Sequence, residues 1–292
     1  MNIKERLLKK LFDPYFGDTL VEPLHLRILG LGVRLFGSFR LKVIFDQVVK
    51  QSYAFGMMRA ADFARDRGLS NVIAVEFGVA AGRGLMNLGE LSKRVTRETG
   101  VEFQVFGLDG GTGMPPPRDY RDHPDLYQAG DFPMIDREGL KRALPPNVEL
   151  LLGDLTTSVS AVLRRANRQN PIGFVSFDVD YYYSTMDALT LFDGPPDSYL
   201  PATVLYFDDT QHWMHNQWCG EFLAINEFNA SHQWRKIDRA HYIKNSRIYR
   251  NAHWLDQIFT LHVLDHPTRH NPPRVDTRVL ENPHLRKRDI IA

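Results

Sequence analysis

An α/β fold, a mostly parallel sheet with helices on both faces, is predicted by three observations. Short apolar, β-branched runs alternate with helical patterns from about residue 51 onward. Five of those runs end on a carboxylate: Glu76, Asp109, Asp154, Asp178 and Asp208. The first run passes straight into a glycine turn, VEFGVAAGRG, at residues 75–84. Ligands of open α/β sheets bind outside the carboxyl ends of the strands, so acids repeated at those ends point to a binding site rather than to packing.

Composition sets the outer limits. The chain has 292 residues, 43% hydrophobic and 24% charged, an ordinary balance for a globular protein with a sizeable core. A formal net charge of +1 gives no electrostatic reason to expect nucleic-acid binding, and the eleven histidines make that charge sensitive to mild acid. The single cysteine, Cys219, excludes an internal disulfide framework and a cysteine-rich zinc site. No apolar run approaches the roughly 20 residues of a membrane-spanning helix, and residues 1–10 are too charged to lead a secretory signal. The expected location is the cytoplasm.

Three parts are expected: an N-terminal helical extension over 1–50, one catalytic domain over 51–265, and a proline-rich C-terminal arm over 266–292. No internal repeat is present. In the extension, residues 26–49 interleave Leu, Ile, Val and Phe with Arg27, Arg34, Arg40 and Lys42. Such a basic amphipathic stretch can lie on a membrane surface. The reading adopted is a pair of helices that cover the domain or meet a second subunit, so a homo-oligomer is expected.

Residues 45–67 carry an apolar face at helical spacing and stop at Gly68, delivering the chain to the first strand, 72–77. Gly78, Gly82 and Gly84 then allow a sharp turn. Their spacing, G-x-x-x-G-x-G, is neither the dinucleotide fingerprint nor a phosphate loop. Glycines after an acid suit S-adenosylmethionine, because Glu76 can face the cationic amino-acid end and no phosphate needs cradling. A helix follows to Gly100, and 103–109 is the second strand.

Asp109 ends that strand, where an acid either binds the two hydroxyls of a ribose or opens a turn. The segment 110–131 is rich in Gly, Pro and Asp, and about 20 irregular residues in a domain usually form a lid or binding loop. A capped helix is expected at 136–144 and a third strand at 148–152. Asp154 can accept from an adenine amine and can cap the next helix, and the two roles are compatible. The fourth strand, 172–177, runs into Asp178-Val179-Asp180 and a tyrosine triplet, with a helix from Met186; the fifth, 203–207, runs into Asp208-Asp209.

Asp178, Asp208 and Asp209 on neighbouring strand ends would repel one another unless a cation sits between them. Oxygen ligands suit a hard divalent ion, Mg²⁺ or Mn²⁺. His212 and His215 have the spacing of a zinc pair but no third soft ligand, so His212 is assigned instead as a candidate general base. Residues 220–229 read as a helix, and 234–243 and 257–264 as an antiparallel pair that completes seven strands.

In order and spacing, VEFGVAAGRG, FGLDGGTGMPPP, LLGDLTTSV, FDVDYYYSTMDAL and LYFDDTQ followed by CGEFLAINEF resemble class I S-adenosylmethionine-dependent methyltransferases. Among these the resemblance is to the macrocin O-methyltransferase-like group, and it spans roughly residues 50–230. It implies a Rossmann-like seven-stranded sheet, a divalent metal on Asp178, Asp208 and Asp209, and methyl transfer to a sugar or related hydroxyl. It further implies that Glu76 and Gly78 flank the methionine part of the cofactor, Asp109 the ribose and Asp154 the adenine side, with Gly82 also cofactor-binding and Asp178 also helping to take the proton. The chain departs from the family in a longer Trp- and His-rich stretch, DTQHWMHNQW, and in Tyr181–Tyr183. Two other readings remain: a catechol-like small phenol as acceptor, and a non-catalytic partner-binding protein on the same fold.

Overall fold

A computed structural model describes residues 22–211 and 213–270. His212, residues 1–21 of the expected extension and residues 271–292 of the expected arm lie outside them.

The core is a seven-stranded sheet. Its strands are β1 (Asn71–Phe77), β2 (Glu102–Asp109), β3 (Val148–Leu152), β4 (Ile172–Phe177), β5 (Tyr199–Phe207), β6 (Arg235–Arg239) and β7 (Ile258–Val263), in the order β3-β2-β1-β4-β5-β7-β6. Strands β1 to β5 are parallel, and β7 pairs antiparallel with both β5 and β6. The chain winds outward from β1 to β3 and then returns to place β4 on the other side of β1. That reversal opens a crevice between the carboxyl ends of β1 and β4, where open sheets take their ligands.

The alternation of side chains along β1 sorts the core into two halves. Val72 and Ala74 pack with α3 (Gln51–Arg65) and α4 (Arg83–Thr99). Ile73, Val75 and Phe77 pack on the opposite face, with α6 (Leu155–Leu163), α7 (Tyr182–Leu189) and α8 (Gly220–Ser231). All but the first residue of β1 are buried, which is why a short continuous apolar run was its signature. Between β2 and β3 lies α5 (Arg137–Ala143), capped by Asp136, which accepts the Gly139 N–H at 2.8 Å.

Two elements differ from their sequence reading. The helix expected over 45–67 begins only at Gln51, because residues 45–50 form a turn with Asp46 and Lys50 at positive φ. A buried ion pair between Asp46 and Arg247, reinforced by an Arg247 bond to the Val43 carbonyl at 2.8 Å, holds that turn. Helix α7 starts at Tyr182 rather than Met186, because Asp122 reaches in from a distant loop and accepts the Tyr183 N–H at 3.1 Å.

Ahead of the sheet lie α1 (Leu24–Phe36) and α2 (Phe39–Ile44). Arg40 of α2 grips Asp62 of α3 through two bonds of 2.7 and 2.8 Å, and the Tyr249 hydroxyl donates to the Leu26 carbonyl at 2.9 Å. The outward face of α1 is nevertheless apolar: Leu24, Ile28, Leu31 and Leu35 are exposed, and Phe36 is 89% exposed. No helix among the described residues is long and apolar enough to cross a membrane.

Candidate active site

The carboxyl ends of β1, β2, β4 and β5 meet in one place, and the glycine turn is its centre. Gly78 has φ of 82°, and a Cβ there would lie 1.7 Å from the Asp178 carbonyl oxygen. Only glycine lets the turn after β1 approach the turn after β4 so closely. Gly82, at the same φ, immediately precedes α4.

Asp109 shapes this turn. One of its oxygens accepts the N–H groups of Val79 and Ala80, each at 2.8 Å, and the other accepts the Gly111 N–H at 2.5 Å. The acid at the end of β2 therefore pins the loop after β1, while its half-buried carboxylate keeps one lone pair, on the oxygen that accepts from Gly111, for a hydroxyl donor. Asp154 is exposed and caps α6, accepting from the Thr157 N–H at 2.9 Å and the Thr157 hydroxyl at 3.1 Å. One of its two oxygens makes both bonds.

Glu76 points to the α3 face and is 1% exposed. Its Oε1 accepts the Tyr53 hydroxyl at 2.7 Å, and Tyr53 in turn receives bonds from the Ser176 hydroxyl at 2.8 Å and the Lys50 ammonium at 3.2 Å. Its Oε2 is buried without a hydrogen-bond partner among the described residues. Burial pushes the Glu76 carboxyl up to about 7, against the opposing pull of Lys50 and the Tyr53 bond. Gly84 makes room for it, since a Cβ there would lie 1.8 Å from Glu76 Oε1.

Beside the turn lies the acid cluster. Asp178, Asp180 and Asp209 each present an oxygen within 4.8 Å of the others, and all three are half-buried. Asp208 adjoins them, with its carboxylate accepting the Tyr206 hydroxyl and its carbonyl accepting from Gln257 at 2.6 Å. Of the three expected metal ligands, Asp178 and Asp209 thus come together, with Asp180 as the third acid of the group and Asp208 beside it. Burial, followed by neighbouring carboxylates, raises Asp178 and Asp209 well above the ordinary range, and burial lifts Asp180 to about 6.

A fourth acid closes the cluster from beneath. Glu221, at the start of α8 and 1% exposed, accepts the Asp209 N–H on Oε2 at 3.0 Å, and its Oε1 has no hydrogen-bond partner among the described residues. Asp209 Oδ2 has none either, while Asp209 Oδ1 accepts the Tyr127 hydroxyl at 2.9 Å. Buried carboxylate oxygens crowded together without donors cost several kcal/mol each if charged. An oxygen-only donor set with unsatisfied lone pairs fits a hard divalent cation, and the chemistry does not fit zinc.

Sequence reasoning passed over Asp180, Glu221, Tyr53 and Tyr127. Asp180 was visible as the second acid of an Asp-x-Asp pair. In the sequence Glu221 is an ordinary acid in the first turn of a helix, and Tyr53 falls on the apolar face of the 45–67 helix. Nothing local marked Tyr127.

No protein-family model matches the chain, and no curated protein matches it. It is similar to several solved structures at low identity. One is the crystal structure of CalS11, a calicheamicin methyltransferase, with 21% identity and a TM-score of 0.46 over 78% of this chain and 86% of that one. Another is the apo structure of CalS11, described as a TDP-rhamnose 3'-O-methyltransferase, with 19% identity and a TM-score of 0.38 over 78% and 87% of the two chains. A third is the O-methyltransferase TomG from Streptomyces achromogenes, involved in tomaymycin synthesis and in complex with SAM, with 16% identity and a TM-score of 0.36 over 89% and 98%.

Proposed function

We propose that the chain is an S-adenosylmethionine-dependent, divalent-metal-dependent O-methyltransferase acting on a hydroxyl of a sugar or polyol. The observation that carries this reading is the meeting, at the switch point of the sheet, of a glycine turn held by Asp109 with the oxygen cluster of Asp178, Asp180 and Asp209. The sequence resemblance over residues 50–230 supports both halves of it.

In this reading Gly78 and Gly82 admit the cofactor to the turn, Asp109 receives the ribose hydroxyls, and Asp154 lies on the adenine side with the carboxylate oxygen its cap leaves over. Glu76, with Lys50 and Tyr53 behind it, sets the charge at the methionine end. Asp178, Asp180 and Asp209 would hold Mg²⁺ or Mn²⁺, with Asp208 adjoining. The cofactor supplies an electrophilic methyl group, and the cation lowers the pKa of the acceptor hydroxyl. The chain's own residues fix the acceptor in line and remove its proton. Asp178 and His212 are the nominees for taking that proton. Exposed Trp213 and Trp218 follow Asp209 in the chain, and such rings can stack on the apolar face of a pyranose.

Leu24, Ile28, Leu31 and Leu35, all exposed on α1, are spaced four, three and four residues apart, the seam of a helix that pairs with another helix. This supports the reading of the N-terminal extension as a contact between subunits and of the protein as a homo-oligomer; the single cysteine supports the reading that it works in the cytoplasm.

Calorimetric titration of S-adenosylmethionine, with Mg²⁺ and with chelator, followed by an acceptor screen, tests the assignment. Micromolar cofactor binding in both conditions, with transfer to sugar hydroxyls that stops on chelation, is expected. Transfer to catechols alone would replace the acceptor class. Partner binding without any cofactor heat would leave the fold with a non-catalytic role.

A further inference from the structure

The segment 110–131 is longer and more irregular than a connection between β2 and α5 requires, yet it is bolted to the acid end of the sheet. Asp122, 1% exposed, accepts the Arg118 N–H at 2.9 Å and the Tyr183 N–H at 3.1 Å, so it shapes its own loop and caps α7 with one carboxylate. The Tyr183 hydroxyl donates back to Asp119 at 3.1 Å. His123 packs so closely on the start of α8 that a Cβ on Gly220 would stand 3.1 Å from its ring and 3.4 Å from the Asp180 carbonyl oxygen. Tyr127 completes the set by donating its hydroxyl to Asp209 Oδ1, with its ring edge-on to Tyr181.

Asp209 is therefore fixed at two atoms by two other segments of the chain. Tyr127 holds Oδ1, Glu221 holds the backbone N–H, and Oδ2 is buried with no donor among the described residues. A ligating carboxylate held through its second oxygen by an outer hydrogen bond is a recurrent way of orienting a cation's ligand.

We propose that Tyr127 is a positioning residue that couples closure of the 110–131 loop to cation binding at Asp209. The proposal rests on the cation site described above and adds a residue and a linkage to it. Because the phenol donates to one oxygen and leaves the other for the cation, the loop-down arrangement and the cation favour the same carboxylate orientation. Linkage then makes the effect reciprocal: the factor by which the Tyr127 bond strengthens cation binding is the factor by which the cation steadies the loop.

The test uses the full chain without cofactor and Mn²⁺ as the probe. Mn²⁺ affinity is read by electron paramagnetic resonance, and amide hydrogen exchange is followed across residues 115–130, for wild type, Tyr127→Phe and Tyr183→Phe. Tyr127→Phe is expected to weaken Mn²⁺ binding about tenfold. Mn²⁺ is expected to slow loop exchange in wild type by a similar factor and to leave it unchanged in Tyr127→Phe. Tyr183→Phe, which loosens the same loop without touching the acid cluster, is expected to bind Mn²⁺ as wild type does. A Tyr127→Phe affinity within twofold of wild type, or a Tyr183→Phe loss equal to that of Tyr127→Phe, overturns the coupling while leaving the cation site intact. Failure of wild type to bind Mn²⁺ at all overturns the cation site and the coupling with it.

Discussion

The two halves of the crevice are built on opposite plans. On the β1–β2 side the glycine turn is already held by the protein: both oxygens of Asp109 receive backbone N–H groups, and only Glu76 Oε2, at the border, is buried there without a partner among the described residues. On the β4–β5 side Asp209 Oδ2 and Glu221 Oε1 lack donors among the described residues, and the carboxyls of Asp178, Asp180 and Asp209 are all raised, first by burial and further by the Asp208 charge. A satisfied half needs only shape from its ligand and can be ready beforehand. An unsatisfied half stores electrostatic cost that an incoming cation relieves, so its binding energy comes from the fold's own instability.

The substitution that separates the halves most sharply is Asp209→Asn. Methyl transfer is expected to fall about a thousandfold, the size of losing one strong electrostatic group at a reacting centre. Cofactor affinity should stay within about threefold of wild type. In chelator the variant should melt a few degrees higher, because one member of a repulsive cluster has become neutral. A lower melting point in chelator would mean that the cluster is not under electrostatic strain.

Gly78→Ala tests where the halves touch. The new Cβ overlaps the Asp178 carbonyl, so both the cofactor turn and the first acid of the cluster must move. A stability loss of about 3 to 5 kcal/mol is expected, in the range of backbone conflicts in a buried site. Calorimetry should show weakened binding of both S-adenosylmethionine and Mn²⁺, unlike Asp209→Asn. Loss of one ligand alone would show that the halves are independent.

Glu76 lies on the border and its charge gives a pH signature. Its folded carboxyl is raised to about 7 from an ordinary 4.5. The folded state therefore holds a proton that the unfolded chain has released, so this stability is fully present below about pH 4.5 and is lost as pH rises through 7. Relative to wild type, Glu76→Gln should remove that decline, gaining up to about 3 kcal/mol at pH 8 and little at pH 4. Denaturant melts in chelator across that range measure it, and parallel curves would contradict the burial of a chargeable Glu76.

The contrast between the halves also explains what the sequence could show. The cofactor half is local: strand, glycine turn and Glu76 are contiguous, and Asp109 is one helix and one strand away, so β1 to β5 and the turn were readable from apolar runs and glycine spacing. The acid half is assembled from β4, β5, α8 and a loop 82 residues before Asp209, as its bond to Tyr127 shows. Asp178, Asp208 and Asp209 stood out because they end apolar runs. Glu221 and Tyr127 did not, because a helix-start glutamate and a loop tyrosine have no local pattern that distinguishes a site residue from a surface one. Adjacency on the chain also favoured Asp208, whereas the fold turns its carboxylate to Tyr206 and brings in Asp180.

Asp154 carries the smallest expected effect and the finest distinction. It belongs to the satisfied half, yet among the described residues only one of its oxygens is used, by the Thr157 N–H and hydroxyl. Asp154→Ala removes the cap and should cost about 1 kcal/mol of stability. Asp154→Ser keeps a capping oxygen but offers the adenine side no carboxylate, so its stability should return to within a few tenths of a kcal/mol of wild type. If the second oxygen also serves the cofactor, S-adenosylmethionine affinity should fall about three- to tenfold in both variants, as expected for one hydrogen bond. Full recovery of affinity in Asp154→Ser would make the residue a cap and nothing more. Persistent loss beside recovered stability would show that even in the prebuilt half one oxygen is held back for the ligand, narrowing the difference between the two plans to the number of groups left unsatisfied.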